Sequence, residues 1–110
     1  MDMQITTLKS GAVTVAVLDG RLDTVTAAGA EQTLLSLLQE GALIADLEGV
    51  RYMSSAGLRL LLKAVKAAKS AGVTFSVCAW QPAVREVFEI SGFNKVIPAF
   101  ATRAEALTGA

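Results

Sequence analysis

The run from Ala42 to Gly72 allows few architectures. Leu43, Ile44 and Leu47 form a short apolar segment bounded by Gly41 and by Glu48-Gly49, the pattern of a strand covered on both faces, as in a parallel sheet. A loop over 48–53 then leads into an amphipathic helix that opens at Ser54-Ser55 and stops at Gly72. At about 100° per residue Leu58, Leu61, Leu62 and Val65 share one face, and Arg59, Lys63, Lys66 and Ser70 line the opposite one. One side of such a helix packs against a sheet and the other meets water.

The flanking segments extend the alternation. Residues 3–8 and 12–18 read as two strands joined at Lys9-Ser10-Gly11 in an antiparallel hairpin, with Val13, Val15 and Val17 on one face. Asp19-Gly20 breaks the second strand, and a helix capped by Asp23 or Thr24 runs to about Glu40, with Gly41 as its stop. After the central unit come a strand at 73–78, a helix from Pro82 to Ser91 ended by Gly92, and a short strand at 95–97. The capping box Thr102-Arg103-Ala104-Glu105 starts a last helix. This order implies one α/β domain over 1–110: a mostly parallel sheet of four or five strands, the first antiparallel, with about four helices. If the strands ending near Leu18, Leu47 and Cys78 are parallel, their loops emerge at one rim, bringing Asp23, Ser54, Ser55 and Trp80 together.

The start of the helix at Ser54 is the candidate site. Either serine can cap the helix, because a side-chain oxygen there accepts from a backbone N–H that has no partner inside it. Capping alone explains such a serine, and it equally explains Asp23. Two features favour a docking surface as well: Gly57 lacks a Cβ and lets another backbone or molecule come close, and Leu60 is expected on the outward side beside Arg59.

The segment Val50-Arg51-Tyr52-Met53-Ser54-Ser55-Ala56-Gly57-Leu58-Arg59-Leu60-Leu61 resembles the signature of the STAS family, the domain of bacterial anti-sigma-factor antagonists. The upstream Asp19-Gly20-Arg21-Leu22-Asp23-Thr24 looks like the same family's glycine–any–leucine–aspartate segment, and the likeness spans essentially the whole chain. The resemblance implies a STAS fold and an antagonist in a partner-switching pathway. Its unmodified form would bind an anti-sigma factor that is also a serine kinase, freeing the sigma factor; that kinase would phosphorylate it with ATP and magnesium, and a phosphatase would restore it. The serine two positions before the motif glycine is the family's acceptor, which is Ser55 here, with Ser54 as the alternative where the family often has aspartate. The partner-binding residues it implies are Asp23, Thr24, Ser54, Ser55, Gly57, Leu58, Arg59 and Leu60. Arg59, Lys63, Lys66 and Lys69 form a basic helix face that either complements an acidic partner or is simply solvated.

Composition narrows the chemistry. The chain has 110 residues, enough for one domain and one core, and is 53% hydrophobic and 18% charged. Ten basic and ten acidic residues balance, so nothing asks for nucleic acid. Without histidine and with Cys78 alone, neither a Ser-His-Asp arrangement nor the usual His/Cys metal site can be assembled, and no intrachain disulfide can form. Cys78 sits in an apolar strand and reads as packed. No signal peptide and no membrane-spanning run is expected, so the reading is a cytoplasmic protein, monomeric or weakly dimeric, needing no cofactor. The STAS resemblance implies that the chain would be a substrate of a kinase and a phosphatase and not an enzyme. The rivals are an unmodified STAS adaptor subunit of a signalling or lipid-transport complex, and a small enzyme or nucleotide-binding protein using Asp23 and Ser55; the second lacks a base for a serine nucleophile and a glycine-rich phosphate loop.

Overall fold

A computed structural model of the chain describes residues 3–109. Its strands are β1 (Gln4–Ser10), β2 (Val13–Leu22), β3 (Leu43–Met53), β4 (Phe75–Cys78) and β5 (Ala99–Phe100). The helices are α1 (Ala27–Leu38), α2 (Ser55–Ala71), α3 (Pro82–Ser91) and α4 (Arg103–Gly109), with a short 3-10 turn at Phe93–Lys95. The five strands lie side by side in sequence order; β1 pairs antiparallel with β2, and every later pairing is parallel. The expected α/β architecture is therefore the one observed, with five strands and four helices.

Period-two alternation divides the sheet's two faces. Ala16, Leu18, Leu43, Ala45, Leu47, Phe75 and Val77 point into the main core against Leu34 and Leu38 of α1, Leu58, Leu61 and Val65 of α2, and Val84 and Phe88 of α3. Val15, Ile44 and Cys78 point the other way and meet Ala106 of α4. Each fully buried Leu, Val or Phe contributes about 1.5–3 kcal/mol by leaving water. One ion pair reinforces the α4 side: Arg103 Nε donates to Asp46 Oδ2 at 2.8 Å, and the Asp46 side chain is only 2% exposed.

Several boundaries differ from the sequence reading. Asp19-Gly20 does not end β2, which continues to Leu22 through register shifts against β3. Nor is 48–53 a loop: β3 runs unbroken to Met53, paired with β2 alone after Asp46. Gly49 permits this, since a Cβ there would come within 2.9 Å of the Leu18 carbonyl oxygen. Helix α1 begins at Ala27, after a turn over 24–26, and ends at Leu38 with Gln39 as C-cap, leaving Gly41 outside it. The stretch 95–97 is not a strand; the chain turns at Phe93–Lys95, buries Ile97, and pairs with β4 only at Ala99–Phe100. The stops at Gly72 and Gly92 are as expected, both left-handed, with φ of 74° and 80°.

Candidate functional site

The site lies where β2 and β3, having run past the end of β4, hand the chain to α1 and α2. Ser54 follows β3 directly and adopts the extended conformation of a cap. Its N–H donates to the Leu22 carbonyl at 2.9 Å, its Oγ accepts from the Ala56 N–H at 3.2 Å, and its carbonyl accepts from the Leu58 N–H at 3.1 Å. Ser54 is thus half-buried and engaged at all three groups. Ser55, the first residue of α2, is exposed, and among the described residues its hydroxyl has no hydrogen-bond partner. The two serines that the sequence leaves equivalent as caps differ in the fold: one hydroxyl caps the helix and the other is free.

The bond from Ser54 to Leu22 places the next turn, Asp23 to Thr26, beside the start of α2. Asp23 Oδ1 accepts from the backbone N–H groups of Val25 at 3.0 Å and Thr26 at 3.2 Å. Thr26 Oγ1 donates to the Arg21 carbonyl at 2.7 Å and accepts from the Asp23 N–H at 3.0 Å. Asp23 therefore caps this turn rather than α1 itself, whose N-cap is Thr26, and the Thr26 N–H bond, opposed by burial and helped by the Val25 N–H and Arg21, holds its carboxyl below the usual carboxylate range. Arg21 faces Asp23 Oδ2 at 3.6 Å and lies over the ring of its cross-strand neighbour Tyr52, 4.3 Å from the centroid. Thr24 is exposed.

Three of the expected contact residues are turned inward. Gly57 is buried because the backbone of β2 approaches it: a Cβ would lie 2.8 Å from Met53 Cγ and 3.0 Å from the Leu22 carbonyl oxygen. It is the fold, and not open space for a partner, that requires glycine here. Leu60 is 1% exposed and Leu58 7%, so neither lies on the surface. The reason is that α2 packs on α1 as well as on the sheet, which turns its buried arc toward Leu60, Ala64 and Ala68 and leaves Leu62 half-buried. The residue that shares the outward stripe with Ser55 and Arg59, at i, i+4 and i+7, is therefore Leu62. Sequence reading also missed Val25, which is 81% exposed in the Asp23 turn, and Tyr52, 43% exposed at the end of β3; an apolar residue left uncovered within a capped turn is the signal that marks the first.

Trp80 does not join this group. It packs edge-to-face on Phe88 with ring centroids 4.8 Å apart and lines a 520 Å³ cleft with Asp46, Glu48, Ala79 and Arg103, at the level where β3 leaves β4. Neither that cleft nor the 420 Å³ groove between β1 and α1 is lined by Ser54 or Ser55. Among the described residues no three His, Cys, Asp or Glu side chains are grouped so as to hold a metal ion, and no helix is long and apolar enough to cross a membrane. The site exposes the Ser55 hydroxyl beside Arg59, and among the described residues Arg59, Lys66 and Lys69 of α2 have no carboxylate within ion-pair distance, while Lys63 pairs with Glu31.

Comparison with known proteins places this geometry. The STAS domain model matches residues 4–106. The chain belongs to the STAS family. It is 34% identical over 106 residues to BtrV of Bordetella bronchiseptica, a candidate anti-sigma factor antagonist, with 94% of this chain and 91% of the relative covered. It is 30% identical to the anti-sigma-F factor antagonist RsfB of Mycobacterium tuberculosis, over 96% of this chain and 87% of RsfB. Among solved structures, an anti-sigma factor antagonist from Mycobacterium paratuberculosis superposes with a TM-score of 0.88 at 28% identity, covering 97% of this chain and 92% of that one.

Proposed function

We propose that this STAS domain is an anti-sigma factor antagonist whose affinity for its partner is set by phosphorylation of Ser55. The observation that carries the choice of residue is the division of labour between the serines: Ser54 Oγ caps α2 and Ser55 Oγ is exposed and free. The naming of the relatives as anti-sigma factor antagonists supports the role. The surface offered to the anti-sigma factor comprises Asp23, Thr24, Ser54, Ser55 and Arg59, extended by Val25, Tyr52 and Leu62, with Gly57, Leu58 and Leu60 acting behind it as packing. The basic face continued by Lys66 and Lys69 suits an acidic partner.

In this reading the chain is a substrate and performs no catalysis. The partner, a serine kinase, transfers the γ-phosphoryl group of ATP to Ser55 Oγ; the oxygen–phosphorus bond forms as ADP leaves, and the hydroxyl proton passes to a base of the kinase. The product gains about −1.5 to −2 charges at pH 7. At the first residue of a 17-residue helix that charge faces the positive end of the macrodipole, a favourable interaction of about 0.3–1 kcal/mol, so the domain stays folded. The switch acts in recognition: a hydrated dianion at the middle of the docking surface must be desolvated to bind, and it repels an acidic partner. A phosphatase removes it and resets the antagonist.

The test is a release assay with the cognate anti-sigma factor bound to its sigma factor. Wild type and Ser55→Ala should displace sigma factor, and Ser55→Glu should not. Release by Ser55→Glu equal to wild type would contradict the phosphate block, and no release by any of the three would favour an adaptor role.

A further inference from the structure

Resting on the reading of Ser55 as acceptor, we propose that Arg59 is the internal counter-ion of the phosphoserine, so that modification withdraws a cation from the docking surface as well as adding an anion to it. The chain has five arginines. Four face a carboxylate: Arg21 lies 3.6 Å from Asp23, Arg51 4.0 Å from Asp19, Arg85 3.0 Å from Glu89 and Arg103 2.8 Å from Asp46. Arg59 alone has no acidic group within ion-pair distance among the described residues, although it is exposed on a regular helix.

Its position supplies the missing partner. Ser55 and Arg59 are four residues apart on α2 and both face outward, the spacing at which side chains on neighbouring turns meet. The order is the favourable one, with the acidic group N-terminal to the base. A phosphate on Ser55 presents three acceptor oxygens, and the planar guanidinium fork can donate to two of them in parallel. Among the described residues no carboxylate pairs with Arg59, and two on neighbouring elements are held elsewhere: Asp23 is engaged with the Val25 and Thr26 N–H groups and with Arg21, and Glu31 is engaged with Lys63 at 3.4 Å. In the unmodified chain Arg59 is free to meet an acidic partner surface. Once Ser55 is phosphorylated, the guanidinium folds back over the phosphate and that contact is lost too.

The experiment uses the whole 110-residue chain with phosphoserine installed at position 55 during synthesis, so that no kinase is needed. Phosphorus NMR follows the second ionisation of the phosphate, which lies near pH 6 in an exposed phosphoserine. The wild type should titrate about 0.2–0.4 pH unit lower than Arg59→Gln, the shift expected for one ion pair at this helical spacing. Arg59→Lys, which keeps the charge and loses the fork, should fall between them. Arg59 is exposed and makes no hydrogen bond or ion pair among the described residues, so melting of the unphosphorylated variants should match wild type. Identical titration in wild type and Arg59→Gln would overturn the assignment while leaving Ser55 as acceptor; failure of the cognate kinase to modify Ser55 would remove the acceptor reading without bearing on that titration.

Discussion

Replacing Gly57 by alanine separates two opposite expectations. On helix propensity alone the change is favourable, because glycine inside a helix costs about 1 kcal/mol relative to alanine. The surroundings of Gly57 reverse the sign. The added Cβ would lie 2.8 Å from Met53 Cγ, 3.0 Å from Leu22 Cγ and 3.0 Å from the Leu22 carbonyl oxygen. Met53 can turn aside, but the Leu22 carbonyl is fixed by accepting from the Ser54 N–H at 2.9 Å. The first turn of α2 must therefore lift from the end of β2, and overpacking of this kind costs about 1–3 kcal/mol. Set against the propensity gain, the net loss is about 1 kcal/mol, or roughly a 5 °C fall in melting temperature for a domain of this size. Gly29→Ala in α1 is the internal control: a Cβ added there would meet no atom within 4 Å, so the same substitution should stabilise by about 0.5–1 kcal/mol. Thermal and urea unfolding followed by circular dichroism measure both. If Gly57→Ala were as stabilising as Gly29→Ala, the close approach of β2 to α2 would be wrong.

Three further outcomes are expected. Arg103→Ala leaves the buried Asp46 carboxylate with only the Glu48 N–H as donor, and should lower urea stability by about 1–3 kcal/mol, whereas removing the exposed partner in the Lys9–Glu40 pair should cost at most about 1 kcal/mol. Asp23 has its folded pKa depressed by the Thr26 and Val25 N–H groups, so its stabilising effect is fully present above the unfolded value of about 3.9 and is lost as pH falls through the lower folded value. The melting-temperature gap between wild type and Asp23→Asn should therefore be constant at neutral pH and close on acidification below about pH 4. Burial, followed by the nearby Asp46, pushes the Cys78 thiol up to about 12, so a thiol reagent at about pH 8 should label it slowly in the native chain and rapidly in urea.

The α/β order and the antiparallel hairpin were legible because hydrophobic period and turn residues report local structure directly, as at Gly72, Gly92 and Pro82. What misled was long-range pairing. Asp19-Gly20 and Glu48-Gly49 carry ordinary turn chemistry, yet β2 and β3 run through both because each strand satisfies the other across a bulge. The two residues of β5 are too few to show a period, and only β4 beside them makes them a strand. Within the site, the wheel of α2 put the buried arc near Leu58, suited to a helix on a sheet alone; packing on α1 rotates that arc and exchanges Leu60 for Leu62. As helix caps, Ser54 and Ser55 could not be told apart from residue chemistry, and only the family resemblance favoured Ser55, since the distinction depends on which residue first takes helical geometry after β3.

The proposed phosphate control of this domain rests on the Ser55 hydroxyl, and intact mass after incubation with the proposed partner kinase, ATP and magnesium tests it most directly. Wild type, Ser54→Ala and Ser55→Ala are compared, with folding verified first, since loss of the Ser54 cap costs about 0.5–2 kcal/mol and loss of the free Ser55 hydroxyl should cost nothing measurable. One phosphate is expected on wild type and on Ser54→Ala, and none on Ser55→Ala. A phosphate retained by Ser55→Ala, or none on wild type with a kinase shown to be active, would contradict the assignment of Ser55 as the switch.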